Sequence, residues 1–318
     1  MAEPGREDTT PARPKAASPL GQALLLTGDL WNLQIIRAGF RGDRRFQDLR
    51  AELPISEAVL AGRLRDLVAE QVLETHRYTD APPRHEYRLT ERGRELWGFF
   101  VALWVWDRRW APAADSAVRG ELRHLTCGHL ITPVFGCGAC GAIGVTARDV
   151  TAAIDGRLLI DVTDRRSRRA PSVAPASQID STGVLGDRWS TFLLADALNG
   201  SRRFSDFQER LGVSPVTLTD RLNLFVEAGL MSRAPVSDGA RRQEYRPTPK
   251  ALDFFTVFAM LNDWAARWLS PDGMSGLSFV HRVCGEQLRP RFTCNACNGE
   301  LRRDQVVVEP QGGKTETA

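Results

Sequence analysis

The chain has 318 residues, of which 42% are hydrophobic and 25% are charged, and its formal net charge at pH 7 is +3. This length predicts two or three domains of a globular protein. A charge so close to zero does not by itself indicate a nucleic-acid partner, so a DNA-binding surface would need local basic patches. Because no run of about 18 apolar residues occurs, the sequence predicts no membrane-spanning segment.

Three polar segments lie at the two ends of the chain and between its predicted domains. Residues 1–21 contain four prolines and lack the apolar core of a signal peptide, so we expect a disordered tail on a cytoplasmic protein. Residues 164–183 are rich in Arg, Pro and Ser and predict a flexible linker. We expect residues 310–318 to form a second disordered tail.

Residues 44–67 predict two helices joined by a short turn. Apolar residues recur at helical spacing on both sides of Pro54, and Ser56 can cap the second helix. The second helix has an apolar stripe made of Leu60, Leu64, Leu67 and Val68. This outline is that of a helix-turn-helix, although an ordinary pair of packed helices would give the same local pattern.

The sequence contains an internal duplication with a constant offset of 158 residues. The segments Gly28–Ile36, Arg44–Leu49, Ser56–Leu64 and Glu86–Thr90 return as Gly186–Leu194, Arg202–Phe207, Ser214–Leu222 and Glu244–Thr248. Chance does not keep one register over such a distance. The chain therefore has two copies of one unit.

Each copy predicts a winged helix. In the first copy a helix over 30–40 precedes the helix-turn-helix. Two extended segments, 72–78 and 85–89, follow it, and Pro82 and Pro83 stand at the tip between them. Two strands directly after the second helix form a wing.

A long aromatic helix is predicted at the end of each copy, over 91–110 and 249–268. Its apolar residues cover too much of the circumference for a helix packed on one side only. They could fill the core of their own copy. The sequence favours an interface, either between the two halves of one chain as a pseudo-dimer or between chains as a homodimer.

The cysteines indicate metal binding. They occur in two sets of identical spacing, His-x₂-Cys-x₉-Cys-x₂-Cys, which are His124, Cys127, Cys137 and Cys140 in the first copy and His281, Cys284, Cys294 and Cys297 in the second. Three thiolates and one imidazole suit tetrahedral Zn²⁺, so we predict one structural zinc ion in each set. Redox-active cysteines are the alternative. Four protein ligands leave no position for a catalytic water.

The predicted fold class is mainly α with small β-wings (α+β). We expect winged helix-turn-helix domains at 22–112 and 184–270, each followed by a small zinc-ribbon-like module, at 120–163 and 277–309 respectively.

Several motifs resemble those of the HxlR-type winged helix-turn-helix transcriptional regulators. They include Gly28-Asp29-x-Trp31, Arg44-Arg45-Phe46-x-Asp48-Leu49 and Pro82-Pro83-Arg84-x-Glu86-Tyr87-x-Leu89-Thr90. The second copy resembles the same family over 186–268, but has Ala240-Arg241 where the first has the Pro-Pro tip. This resemblance implies a DNA-binding dimer that represses or activates transcription, with dimer contacts from flanking helices. A tandem duplication is not the usual architecture of that family.

The helix-turn-helix interpretation also predicts which residues contact double-stranded DNA. Recognition helices enter the major groove by their N-terminal turns, while arginines near the helices and on the wings suit phosphate contact. On the DNA-facing side of the recognition helices we expect Ser56, Glu57, Ala58, Arg65, Ser214, Thr217 and Asn223. Arg65 and Asn223 are the best candidates for base contact, and Thr217 or Val216 could touch a thymine methyl. For phosphate contact we expect Arg44, Arg45, Arg77, Arg84, Arg202, Arg203, Arg241 and Arg242. Arg63 and Arg221 flank the buried stripes and are expected to brace their helices.

The sequence thus predicts a sequence-specific DNA-binding transcriptional regulator with two non-identical winged helices and two structural zinc sites. One alternative is a redox- or metal-responsive regulator that uses the Cys/His sites. Another is a protein-interaction scaffold. No nucleophile–base set and no phosphate-binding glycine loop stands out, so we do not expect an enzyme.

Overall fold

A computed structural model describes residues 18–80, 83–111, 120–154, 179–235, 243–270 and 276–309. Its first half contains α1 (Pro19–Thr27), α2 (Leu30–Gly39), β1 (Arg44–Arg45), α3 (Phe46–Glu52), α4 (Glu57–Ala69), β2 (Leu73–Asp80), β3 (Pro83–Leu89), α5 (Glu91–Arg94), α6 (Trp97–Trp110), β4 (Glu121–His124), β5 (Leu130–Ile131), β6 (Pro133–Cys137) and β7 (Val150–Ile154). Among these residues no helix has both the length and the apolar character needed to cross a membrane.

The second half repeats this order without strands equivalent to β1 and β5 among its described residues. It contains α7 (Ser181–Leu185), α8 (Arg188–Leu198), α9 (Phe204–Leu211), α10 (Pro215–Glu227), β8 (Met231–Pro235), β9 (Gln243–Pro247), α11 (Pro249–Asp253), α12 (Phe255–Trp268), β10 (Leu277–His281), β11 (Pro290–Cys294) and β12 (Val306–Glu309). The described residues of each half therefore form a winged helix-turn-helix, as predicted, and the chain is of the α+β class.

Three predicted boundaries were wrong. Residues 18–21 are part of the fold because α1 begins at Pro19, capped by Ser18. Residues 179–183, predicted as linker, include the start of α7. The aromatic segments are each broken by a turn, between α5 and α6 and between α11 and α12. The predicted tails 1–17 and 310–318, the tip residue Pro82 and residues 164–178 of the linker lie outside the described residues.

The two copies pack against each other around a pseudo-two-fold axis through α6 and α12. The indole N–H of Trp106 donates to the carbonyl of Lys250, and that of Trp264 donates to the carbonyl of Arg92, both at 2.9 Å. These four residues are two pairs related by the duplication, so one contact is the image of the other. Each cation also lies over the opposite indole, at 5.4 Å for Lys250 and 5.5 Å for Arg92.

Ion pairs at the ends of these helices repeat the symmetry. Arg109 pairs with Asp253 at 2.9 Å, and the equivalent Arg267 pairs with Glu95. The short helices are exchanged in the same way, since α1 of the first copy packs on α12 and α7 of the second packs on α6. The predicted interface between the two halves is therefore present, and its aromatic residues are among the most deeply buried of the chain.

The segments that follow the winged helices form one shared unit. Strand β4 pairs with β12, β7 pairs with β10, and β6 pairs with β11, all antiparallel. Every one of these pairs joins the first half to the second. The β6–β11 ladder is centred on Phe135 and Phe292, which are equivalent residues, so the pseudo-two-fold axis passes between them. Their rings meet edge to face, with the ring centres 5.7 Å apart. The two separate modules expected from the sequence are therefore not present as such. Their strands pair across the two halves and form a single unit.

Candidate nucleic-acid interface and metal centres

The first recognition helix, α4, is positioned by its cap and by the buried stripe that its sequence predicts. The Ser56 hydroxyl accepts from the backbone N–H of Val59 at 3.4 Å, while Leu60, Leu64 and Leu67 are buried against the rest of the domain. The other predicted contact residues of this helix are exposed: Glu57, Ala58 and Arg65. This geometry leaves the N-terminal turn accessible, as major-groove binding requires.

The second recognition helix, α10, is built in the same way but presents a different surface. The Ser214 hydroxyl caps the helix by accepting from the N–H of Thr217 at 3.2 Å. Gly212 has a φ of 62°, a left-handed conformation that favours glycine and allows the tight turn before the cap. Val216, whose counterpart is Ala58, is 73% exposed. The amide oxygen of Asn223 accepts a hydrogen bond from Arg233, so that contact has to break before the amide can bind adenine through both its oxygen and its nitrogen.

Two arginines brace the recognition helices, which confirms the role predicted for them. Arg63 pairs with Asp29 at 2.6 Å, and Arg221 pairs with Asp187 at 2.5 Å. Both acids are the N-cap residues of the preceding helices, α2 and α8. Each pair therefore fixes one recognition helix to the start of the helix behind it. The duplicated Gly-Asp motif was visible in the sequence, but the arginine that pairs with its acid was not predicted.

The arginines predicted to contact phosphates fall into two groups. Arg44 donates to the carbonyl of Ala38 at 3.1 Å, and its equivalent Arg202 donates to Ala197 at 2.6 Å. Burial lowers the pKa of Arg202. Arg45 and Arg203 are exposed beside them, and Arg77 is exposed on the first wing. The side chain of Arg84 and the whole of Arg241 and Arg242 lie outside the described residues.

The eight predicted metal ligands form two clusters, but the predicted grouping was wrong. One cluster consists of His124, Cys127, Cys294 and Cys297, and the other of Cys137, Cys140, His281 and Cys284. Each cluster takes one His-x₂-Cys pair from one copy and one Cys-x₂-Cys pair from the other. The reason is the strand exchange, because β6 and β11 pair antiparallel and place the end of each strand beside the opposite copy.

The geometry of both clusters fits a tetrahedral metal ion. In the first cluster the Nδ1 of His124 lies 3.4 Å from the sulfurs of both Cys127 and Cys297, and the sulfurs of Cys127 and Cys294 are 3.8 Å apart. In the second, His281 Nδ1 lies 3.4 Å from Cys140 Sγ and 3.3 Å from Cys284 Sγ. A tetrahedral zinc ion with ordinary bond lengths separates its ligands by about 3.8 Å for two sulfurs and about 3.5 Å for a sulfur and a nitrogen.

Backbone N–H groups favour ionisation of the first thiol in each Cys-x₂-Cys turn. A backbone N–H also lowers the pKa of the second thiol, Cys140 or Cys297, but desolvation and the neighbouring cysteines outweigh it and raise that pKa. Burial opposes ionisation of Cys294, but backbone N–H groups of Cys297 and Ala296 outweigh it and lower the pKa of the thiol. The Ala296 N–H lies 3.3 Å from this sulfur. Cys137, the equivalent residue, also has a lowered pKa. Thiolates are the form that binds metal, so these turns are suited to a cation.

One buried acid was missed by sequence reasoning. Asp107 on α6 accepts hydrogen bonds from the backbone N–H and the hydroxyl of Ser181, both at 2.7 Å, and burial raises its pKa to about 7. The equivalent pair in the other half is Ala265 and Ala23. The signal available in the sequence was an acid inside an aromatic helix that becomes alanine in the second copy.

Comparison with known proteins places both copies in one family. A model of the HxlR-like helix-turn-helix family matches residues 26–115 and again 184–273, which is more than half of the chain. The HTH-type transcriptional regulator Rv3095 of Mycobacterium tuberculosis is 42% identical over 130 residues, which are 41% of this chain and 82% of that protein. The HTH-type transcriptional regulator YodB of Bacillus subtilis is 30% identical over 100 residues, 31% of this chain and 89% of that protein.

Solved structures match single copies as well. The reduced form of YodB covers 28% of this chain and 88% of its own, with 31% identity and a TM-score of 0.27. PA1374 of Pseudomonas aeruginosa, a candidate transcription factor, covers 45% of this chain and 96% of its own, with 34% identity and a TM-score of 0.32. From its two matched segments, the chain belongs to the HxlR-like helix-turn-helix family and contains two tandem copies of that family's winged helix.

Proposed function

We propose that this protein is a transcriptional regulator that binds one bipartite DNA site with a single chain. Its two winged helices act as a pseudo-dimer, and two structural zinc ions hold the interlocked segments together. The observation that supports this most strongly is the pseudo-two-fold interface, in which Trp106 and Trp264 make equivalent contacts across the two copies of one chain. A homodimer of single-copy chains would need the same contacts between two molecules.

The two recognition helices differ at positions that would face DNA. Ala58, Gly62 and Arg65 of α4 correspond to Val216, Asp220 and Asn223 of α10. Arg is suited to guanine and Asn to adenine, while an exposed Val can contact a thymine methyl. The proposed operator is therefore not palindromic. Its two half-sites lie about one helical turn apart, roughly 34 Å, as for other paired helix-turn-helix units.

The metal proposed for both clusters is Zn²⁺. Three cysteines and one histidine are ligands that zinc prefers, and four protein ligands close the coordination sphere, as in structural sites. Each ion would join a pair of ligands from one copy to a pair from the other. Zinc would thus cross-link the halves in addition to folding each turn.

Footprinting of the full chain on selected genomic fragments tests the DNA-binding proposal. The expected result is one chain per site, with two dissimilar protected half-sites about one turn apart. A palindromic site occupied by two chains, with one recognition helix of each left off the DNA, would refute it. Metal content measured on the same preparation is expected to give two zinc ions per chain.

A second candidate is a regulator that responds to oxidants or metals through the same clusters. Cys140 and Cys297 are exposed, one in each cluster. Of two similar proteins, HypR is a redox regulator, and the structure of YodB is known after diamide treatment. Oxidation of a zinc-bound thiolate releases the metal. Operator affinity and zinc content measured before and after mild peroxide treatment distinguish the two candidates. Unchanged affinity would exclude the redox response.

A further inference from the structure

A cavity of about 800 Å³ lies where the second winged helix meets the interface of the two copies. Its walls come from both halves: α1 and β7 of the first, and α8, α9, α11, α12 and β10 of the second. Most of its lining is apolar, with four phenylalanines, Phe192, Phe255, Phe258 and Phe279, around it. A space of this size and character is typical of sites for drug-sized organic molecules.

The polar groups of the cavity balance in charge. Asp196 and Glu209 are opposed by Arg210 and Arg282, and Arg210 already pairs with Asp196 at 2.7 Å. Asp196 is 9% exposed, and burial raises the pKa of its carboxyl. A charged ligand would meet no uncompensated opposite charge here and would lose its hydration on entry. The lining therefore favours a neutral molecule with a large aromatic surface.

The equivalent surface of the first copy has a different set of residues. Ala195 and Leu198 correspond to Arg37 and Phe40, which are larger. The ring of Phe40 packs against Phe100 at 5.3 Å and is covered by the guanidinium of Arg303 at 5.6 Å. Ala195 and Leu198 occupy less volume than Arg and Phe would at these positions, which leaves room for the cavity in the second copy.

The cavity also touches the segment that holds the second recognition helix. Arg210 and Leu211 line it and are the last two residues of α9, and the cap of α10, Ser214, follows only three residues after Leu211. A molecule that fills the cavity would contact this end of α9, which is connected to α10 by only three residues. Neither recognition helix has a residue in the lining, and only the second is preceded by a helix, α9, that does.

We infer that this cavity is a binding site for a neutral, largely aromatic small molecule and that its occupation alters the second recognition helix. The ligand would lie among the four phenylalanines, beside the Asp196–Arg210 pair. The inference does not depend on what DNA sequence the chain binds. It adds to the proposed function a place at which a metabolite or a foreign aromatic compound would act.

Neighbouring alanines on β7 provide a matched test. Ala152 lines the cavity, whereas the next residue, Ala153, does not, because successive side chains of a strand point to opposite faces. The probe is N-phenyl-1-naphthylamine, a neutral aromatic amine whose fluorescence rises in apolar surroundings. The wild-type chain should bind one probe molecule saturably. Ala152→Leu should weaken binding by about tenfold, as overfilled sites do, and Ala153→Leu should leave it unchanged.

A second variant and a second measurement keep the test decisive. Ala195→Leu fills the cavity from α8 and should weaken probe binding as well, while thermal unfolding and metal content show whether each variant is folded. Hydrogen exchange of the α10 backbone should change at saturating probe, and that of α4 should not. Any one of three results would overturn the inference. These are no saturable probe binding, equal probe binding by Ala152→Leu and Ala153→Leu, and unchanged hydrogen exchange in α10.

Discussion

The exchange of metal ligands between the copies can be tested with two double variants that each remove two thiols. Cys127→Ser with Cys294→Ser removes two ligands from a single cluster, because these sulfurs are 3.8 Å apart in the structure. Cys127→Ser with Cys137→Ser removes one ligand from each cluster. If ligands were grouped by copy, as their spacing in the sequence suggests, the effects of the two variants would be reversed.

The size of the effect follows from the share of one ligand in the binding free energy. Structural zinc sites bind with about 10–16 kcal/mol, so one of four ligands accounts for about 2.5–4 kcal/mol, or roughly 60- to 700-fold in affinity. We therefore expect the Cys127/Cys294 variant to keep about one zinc ion per chain and the Cys127/Cys137 variant to lose both after dialysis against a mild chelator.

Metal content by mass spectrometry and thermal unfolding measure the outcome. The Cys127/Cys294 variant should also unfold at a higher temperature than the Cys127/Cys137 variant, since one cross-link between the halves survives. The equivalent pair in the other cluster, Cys137→Ser with Cys284→Ser, is the control and should behave like the first variant because it also removes two ligands from a single cluster. About one zinc ion in the Cys127/Cys137 variant and none in the Cys127/Cys294 variant would refute the cross-copy arrangement.

Three further predictions concern the interface and the DNA-binding surface. Because the pKa of Asp107 is raised to about 7 in the folded protein, the folded state holds its proton more tightly than the unfolded state, so its contribution to stability falls as pH rises from about 4 to about 7. Asp107→Asn removes the charge; its amide oxygen can accept from the Ser181 N–H, and its NH₂ group can donate to the Ser181 hydroxyl. This variant should gain up to about 4 kcal/mol over the wild type at pH 8, and parallel pH profiles in guanidinium unfolding would contradict this. Trp264→Phe removes the hydrogen bond to the Arg92 carbonyl and should cost about 1–3 kcal/mol in the same assay, and a neutral effect would argue against the symmetric interface. Arg65→Ala should reduce discrimination between operators, by about 1–3 kcal/mol at one base pair. Arg45→Ala should instead weaken binding to all DNA sequences and reduce the salt slope by about one. Equal effects of the two variants in a binding titration at several salt concentrations would refute that division.

The local structure of this protein could be predicted because it depends on short-range chemistry. Ser56 and Ser214 have the hydroxyl that caps a helix, and the apolar residues after them recur at helical spacing. A constant offset then identified the second copy without any knowledge of its contacts. The ligand residues were recognisable for the same reason, because His-x₂-Cys and Cys-x₂-Cys are each a single turn of chain.

Prediction failed where the outcome depended on pairs of segments distant in sequence. The burial of Asp107 depends on α7, whose N-terminal N–H and hydroxyl reach it from 74 residues away. Arg63 and Asp29 were both visible, but only packing brings the recognition helix against the N-cap of α2. Asn223 was predicted as a base contact, and only the wing that follows it shows that Arg233 occupies its amide oxygen.

The sequence alone determined that the chain has two winged helices and four short turns with the spacing of metal ligands, since each is encoded within a few consecutive residues. It did not determine which turns form one cluster, because equal spacing in both copies is compatible with pairing within a copy or across copies. Only the antiparallel contact of β6 with β11, centred on Phe135 and Phe292, decided this. That ladder places Cys294 beside Cys127 and joins the two halves of the chain into one unit.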